Sequence, residues 1–294
     1  MRALTVAVVG GSGFYGMPGL EGVEEVGVST PYGPPSDAIL RGTLGDVRML
    51  FLPRHGRGHR LIPSAIDYRA NIWALKKLGA DCVISVSACG SMKEEIDVGH
   101  IVIVDQFFDR TRRRADTFFD CGIAAHVAFA DPVCADLAGA LHAAARSLGL
   151  HTQLGGTYLC MEGPAFSTRA ESRTYRQWGV DVIGMTNLPE AKLAREAELC
   201  YATIAIPTDY DCWRHGGADV DVAAIVEALH RNVRHAQDVI RTATPALRAP
   251  RPCACGRALD HAILTDAGAM PAEARERLDP ILSRLLQGRA RGGP

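Results

Sequence analysis

At 294 residues, with 47% apolar and 22% charged side chains, the chain can form one large α/β domain or two smaller ones, and its composition is ordinary for a soluble globular protein. Lysine plus arginine (32) nearly balances aspartate plus glutamate (33), so no global field draws it to nucleic acid or an anionic membrane, and a small-molecule partner is expected. No apolar run approaches the ~20 residues that span a bilayer, and MRALTVAVVGG lacks the features of a secretory signal, which together point to the cytoplasm.

Short β-rich runs alternate with amphipathic patterns along most of the chain, the signature of an α/β fold with a largely parallel or mixed sheet. Strands are expected over residues 5–9, 49–52, 82–87, 100–104, 158–161, 182–185 and 201–206. Helices are expected between and after them, over 64–78, 132–148, 167–178, 189–198 and 220–242, several opening with Ser or Pro. PYGPPSD, residues 31–37, is a turn or loop. Beyond residue 243 the sequence turns rich in proline, alanine and arginine. Residues 1–243 therefore read as one catalytic-size domain and 244–294 as an extension with one helix near 271–286 and a disordered end.

The nine cysteines are odd in number and irregularly spaced, which argues against a disulfide framework. Only PCAC, with Cys253 and Cys255, suggests a metal, with His261 nearby. A C-x-C without a second cysteine pair does not make a site, and no metal is expected.

Gly11, Gly13 and Gly16 spell G-x-G-x-x-G directly behind the first strand. A dinucleotide fingerprint needs a helix to start at those glycines, because the pyrophosphate rests on the helix N-terminus. Here MPGLEGVEEVGV follows, and Pro18, Gly19 and Gly22 would break its first turns, which disfavours a nicotinamide-dependent oxidoreductase. What survives is a tight turn with Ser12 and outward backbone N–H groups, suited to an anion as small as one phosphate. Alone it would read as a structural turn. LPRHGRGHRLIP places Arg54 and His55 after the second strand as a bidentate, charge-assisted phosphate clamp, and SVSACGS offers the Ser87 hydroxyl and the Ala88 N–H. Three strand ends converging on one crevice is a usual ligand position in an α/β sheet.

GGSG, RHG, SACGS, EGPAFSTRAES, GMTNLPEA and TDYDCW, in this order over roughly residues 4–243, closely resemble the trimeric purine nucleoside phosphorylase family, and within it the S-methyl-5′-thioadenosine phosphorylases. The resemblance implies a three-layer phosphorylase-type α/β fold with a central mixed, partly barrel-like sheet flanked by helices. It implies reversible phosphorolysis of an N-glycosidic bond, with inorganic phosphate as co-substrate and no metal or organic cofactor. It also implies a homotrimer, or a dimer of trimers. Carried over by motif, the phosphate ligands would be Ser12, Arg54, His55, Ser87, Ala88 and Thr186. Met185 would lie against the ribose and Phe166 near the base, while Ser167 and Val222 sit at positions linked to base and 5′ selectivity. His126, in AHVAFADPV, would reach a neighbouring subunit and close its 5′-alkylthio pocket. Serine stands at position 12 where threonine is more common, and Asn187 and Pro207 also depart from the pattern.

Breaking the glycosidic bond builds positive charge on the ribose and negative charge on the purine, so the leaving group needs a proton or strong hydrogen bond at N7. Asp209, ending the apolar strand YATIAIPT, is the expected donor, with Asp211 assisting. An ordinary aspartate, pKa ~3.9, is ionised at neutral pH; burial beside an apolar ring raises it. Carboxylates favour the 6-amino donor of adenine. A 6-oxopurine nucleoside (methylthioinosine, inosine or guanosine) is the rival substrate, and a non-catalytic nucleoside-binding protein would be expected to lack Arg54, Thr186 or Asp209.

Overall fold

Alternating side-chain direction along the first strand fixes the architecture, described by a computed structural model over residues 3–11, 16–214 and 222–291, without the side chains of 222–231 and 287–291. β1 (Thr5–Gly10) is buried throughout, because helices cover both faces of the sheet it runs through. Ala7 and Val9 meet Ala70 and Ile72 of α1 (Tyr68–Lys77) and Leu193 of α4 (Asn187–Glu196). Val6 and Val8 point the other way, toward Leu137 and Leu141 of α2 (Ala135–Ser147) and Val239 of α5 (Val222–Ala243). The period-2 alternation of one strand thus feeds two cores and yields three layers.

Eleven strands form one mixed sheet, with β2 (Glu21–Val26), β3 (Ile39–Leu44) and β4 (Val47–Pro53) on one side of β1 and β5 (Cys82–Ser91) on the other. Beyond β5 come β10 (Val182–Gly184), β9 (Thr157–Met161) and β7 (Gln106–Arg110). β11 (Cys200–Asp209) also pairs with β5 and carries β6 (Ile101–Val104) and β8 (Thr152–Leu154) outward. The sheet branches at β5 and does not close. Along one edge, β5 pairs with β1 only through Ser85 and with β10 only from Gly90, so among the described strands residues 86–89 face a gap between two neighbours. That gap is the crevice in which the candidate site lies.

No α-helix begins at Gly16 among the described residues; the chain passes instead into β2. The dinucleotide geometry is therefore absent there. α3 (Arg169–Gln177) opens with Thr168 and Glu171 in a reciprocal capping box. Toward the C-terminus two helices, α6 (Ala272–Arg277) and α7 (Asp279–Arg291), stand where one was expected, divided at Leu278 ahead of Pro280, which fits a first helical turn but not a helix interior. Leu278, Ile281 and Leu282 join the first core, Leu247 and Cys255 the second, and the Trp73 indole donates to the Arg277 carbonyl at 2.9 Å. The proline-rich segment is folded onto both faces of the sheet.

Candidate active site

β1, β4, β5 and β11 run parallel, so Gly10, Arg54, Ser87 and Asp209 are carried toward the same end of the sheet. β10 runs against β5, pairing Ile183 with Gly90, so continuing that register brings Met185 and Thr186 back beside Ala88 and Ser87. The side chains agree: the Ser87 hydroxyl lies 3.5 Å from that of Thr186 and 3.0 Å from the Tyr158 hydroxyl. Ser87 and Thr186 are both nearly buried, and Ala88, next along β5, is half-buried. Hydroxyl and amide donors without competing water suit an oxyanion.

Arg54 departs from the expected clamp. Its side chain is only 2% exposed, and its bidentate face is taken by Glu190 of α4, with Nε and Nη2 donating to the two carboxylate oxygens at 2.7 and 3.0 Å. Nη2 also meets the Val9 carbonyl and the Ser85 hydroxyl, and Nη1 the Val86 carbonyl. Among the described residues one Nη1 hydrogen is left to point elsewhere. Arg54 is thus first a buried tie between β1, β4, β5 and α4, and second a single donor.

His55 departs as well. Its Nδ1–H donates to the Leu61 carbonyl at 2.8 Å, and its ring stacks on that of His59 with centroids 4.2 Å apart. Burial, with Arg54 nearby, pushes its pKa down to about 4. At neutral pH it is a neutral imidazole with a bare Nε2, an acceptor and not the cationic donor the sequence suggested.

On the strand that pairs with the other edge of β5, Asp209 ends β11 where that pairing becomes irregular. Burial is the chief reason its carboxyl is held above the ordinary aspartate range, and the neighbouring Asp211 adds to the rise; the Thr208 hydroxyl and the Asp211 N–H oppose it. Asp211, 7% exposed, is likewise raised by burial, its chief cause, with the nearby Ser172 and Ser167 hydroxyls and the Cys212 N–H opposing the rise. Asp211 adopts the left-handed conformation at φ 51°, which aspartate tolerates better than most residues. A Cβ at Gly90 would lie 3.0 Å from the Asp209 carboxylate, so a bare backbone there lets the carboxyl sit down on β5. This pair is no helix cap and no surface loop.

Arg114, which sequence reasoning does not single out, organises the backbone that carries Met185 and Leu188. Its guanidinium is nearly buried and donates to the Met185 carbonyl at 2.7 Å, the Leu188 carbonyl at 2.6 Å and the Glu162 carbonyl at 2.8 Å. Gly163, at φ 64°, is required where a Cβ would fall 2.6 Å from the Met185 sulfur. Ser167 lies near Asp211 and the Met161 sulfur, and Phe166 stands half-exposed on the rim. Asn187 is fully buried, its Nδ2 donating to Thr203 at 2.7 Å, so it ties the start of α4 to β11 instead of facing the crevice. Pro207 stays within β11, its carbonyl accepting from Gly99 at 2.9 Å.

His126 is exposed and remote from this group. Its backbone N–H donates to the Ala262 carbonyl at 2.8 Å, and Ala125 pairs with Ile263, so the C-terminal segment holds the loop that carries it. Ser12 lies outside the described residues. Val222 opens α5, and its side chain lies outside them too.

Residues 5–244 match the family profile described as the phosphorylase superfamily. A Geobacter sulfurreducens S-methyl-5′-thioadenosine phosphorylase is 59% identical over 96% of this chain and 99% of its own length. The crystal structure of a methylthioadenosine phosphorylase from an antarctic soil metagenomic library superposes with a TM-score of 0.90 at 46% identity, over 96% of this chain and all of the other. A Schistosoma mansoni adenosine/methylthioadenosine phosphorylase variant in complex with methylthioadenosine gives 0.79 at 33% identity, over 95% of this chain and 98% of its own. Among the described residues no helix is long and apolar enough to cross a membrane.

Proposed function

The chain belongs to the phosphorylase superfamily, and from that premise we infer that it catalyses the reversible phosphorolysis of S-methyl-5′-thioadenosine to adenine and 5-methylthioribose 1-phosphate. It is a pentosyltransferase of the purine nucleoside phosphorylase type. The observation that carries the adenine reading is the desolvated pair Asp209 and Asp211 at the same end of the sheet as the hydroxyl donors Ser87 and Thr186.

Phosphate sits in the gap along β5, taking hydrogen bonds from Ser87, the Ala88 N–H, Thr186 and the spare Nη1 hydrogen of Arg54, with Ser12 completing the shell. Hydrogen phosphate carries one P–O–H, and the bare Nε2 of His55 is its matching acceptor. The dianion then faces the anomeric carbon, stabilises the oxocarbenium charge and attacks as the C–N bond breaks. Neutral Asp209 donates toward purine N7, and its other oxygen accepts from the 6-amino group, with Asp211 beside it. A raised carboxyl pKa keeps the proton in place at higher pH, so activity falls as pH rises through that value. Met185, fixed by Arg114 and Gly163, lies along the ribose, with Phe166 and Ser167 at the base and Val222 toward the 5′ end. No step needs a metal or an organic cofactor. The same reading makes the enzyme a cytoplasmic homotrimer, or a dimer of trimers, in which the exposed His126 loop closes a neighbour's 5′ pocket.

The test is phosphate-dependent base release from methylthioadenosine, adenosine, 5′-deoxyadenosine, methylthioinosine and inosine. Adenine release from methylthioadenosine, absent without phosphate, is expected; a strong preference for methylthioinosine would overturn the reading.

A further inference from the structure

Four thiols meet at the opposite end of β11 from Asp209. Cys200 opens that strand, Cys134 precedes the first turn of α2, and Cys253 and Cys255 flank the start of a short helical turn, Ala254–Arg257. Their sulfurs all lie within 4.8 Å of one another, with Cys200 and Cys253 3.2 Å apart. A disulfide would bring two sulfurs to ~2.05 Å. A tetrahedron of ~2.3 Å zinc–sulfur bonds has edges near 3.8 Å, the scale of this cluster. The sequence-level partner of the C-x-C, His261, is not among the four.

The surroundings fit a resident cation. Cys134 and Cys200 are anchored by the sheet, their N–H groups donating to the Tyr201 carbonyl at 2.8 Å and the Asp81 carbonyl at 3.0 Å. All but Cys253 are buried. Arg251 lies against Cys200, and its Nε is buried with no hydrogen-bond partner among the described residues. Four thiolates around a divalent ion leave a net negative charge, and a cationic N–H donor is the neighbour such a site requires.

We propose that Cys134, Cys200, Cys253 and Cys255 hold one zinc ion in a closed four-thiolate site that clips the C-terminal segment to β11 and α2. Four S–H protons leave as the ion enters. Protein fills every coordination position, so water and substrate are excluded. Cys200 and Asp209 are the two ends of the ten-residue β11, about 30 Å apart along an extended strand. The ion is therefore structural, and the reaction proposed above proceeds without it.

The test uses the full chain, purified anaerobically with a non-thiol reductant. Elemental analysis is expected to find about one zinc per chain, and cobalt exchange to give thiolate charge-transfer bands with intense tetrahedral d–d bands. Stripping the metal is expected to lower Tm by about 5–10 °C and leave kcat at 25 °C within about twofold, since no ligand touches the substrate. Cys253→Ser should weaken the cobalt charge-transfer bands. Metal-free protein that yields no cobalt spectrum on loading, or an intact mass showing these cysteines paired as disulfides in the reduced preparation, would overturn the proposal. So would a cobalt spectrum unchanged in Cys253→Ser, a readout that does not depend on nucleoside turnover.

Discussion

Two kinds of buried carboxylate stand near this end of the sheet, one paired with a cation and the other not. Glu190 is 1% exposed, yet both its oxygens meet the Arg54 guanidinium and one also accepts from the Tyr201 hydroxyl at 2.9 Å. Asp209 and Asp211 are also largely buried but have hydroxyl and amide partners in place of a cation, and their carboxyls are held above the ordinary range. The cation makes the difference. Beside Arg54 the carboxylate is a fixed counter-ion that aims the guanidinium, while at the end of β11 desolvation favours the protonated carboxyl that the proposed reaction would use on its leaving group.

Removing the cation's partner should have the largest effect. Glu190→Ala strands a buried guanidinium and is expected to cost about 3–5 kcal/mol of stability, read as a large fall in the urea midpoint; a loss under ~1 kcal/mol would mean the pair does not hold the crevice together. A smaller effect tests the uncompensated class away from the substrate. Glu196 accepts from the Thr117 hydroxyl and the Phe118 N–H, both at 2.7 Å, and burial pushes its pKa up to about 7. Because its folded pKa lies above its unfolded value, its contribution is complete below about pH 4.5 and is lost as pH rises through about 7. Glu196→Gln should therefore gain Tm relative to the parent at pH 8 by about 2–4 °C, with little gain at pH 5. An equal change at both pH values would remove Glu196 from the pH dependence.

How much of this the sequence discloses follows from what periodicity reports. Strands with a buried face, such as β1, β5 and β11, stand out as apolar runs. β2, with EGVEEV almost wholly exposed at the edge of the sheet, and the three residues of β8 leave no such pattern. Motif resemblance points to Ser87, Thr186 and Asp209, which the fold brings to one end of the sheet. It does not disclose that Glu190 occupies the fork of Arg54, because burial of an acid in a helix's first turn has no local signature. Nor does RRR distinguish Arg114, whose side chain is 2% exposed, from its solvated neighbours. The cysteine cluster was half legible: C-x-C announces itself, but Cys134 and Cys200 read as small hydrophobes until the sheet sets them beside it.

The central claim is that a desolvated, uncompensated Asp209 reads the base. Its most direct test is the ratio of kcat/KM for methylthioadenosine to that for methylthioinosine, measured in the parent enzyme and in Asp209→Asn. An amide keeps the shape but donates and accepts differently, so the ratio should fall by about 10²-fold or more, from loss of adenine turnover with 6-oxopurine turnover maintained or raised. A ratio unchanged by the substitution would contradict the account.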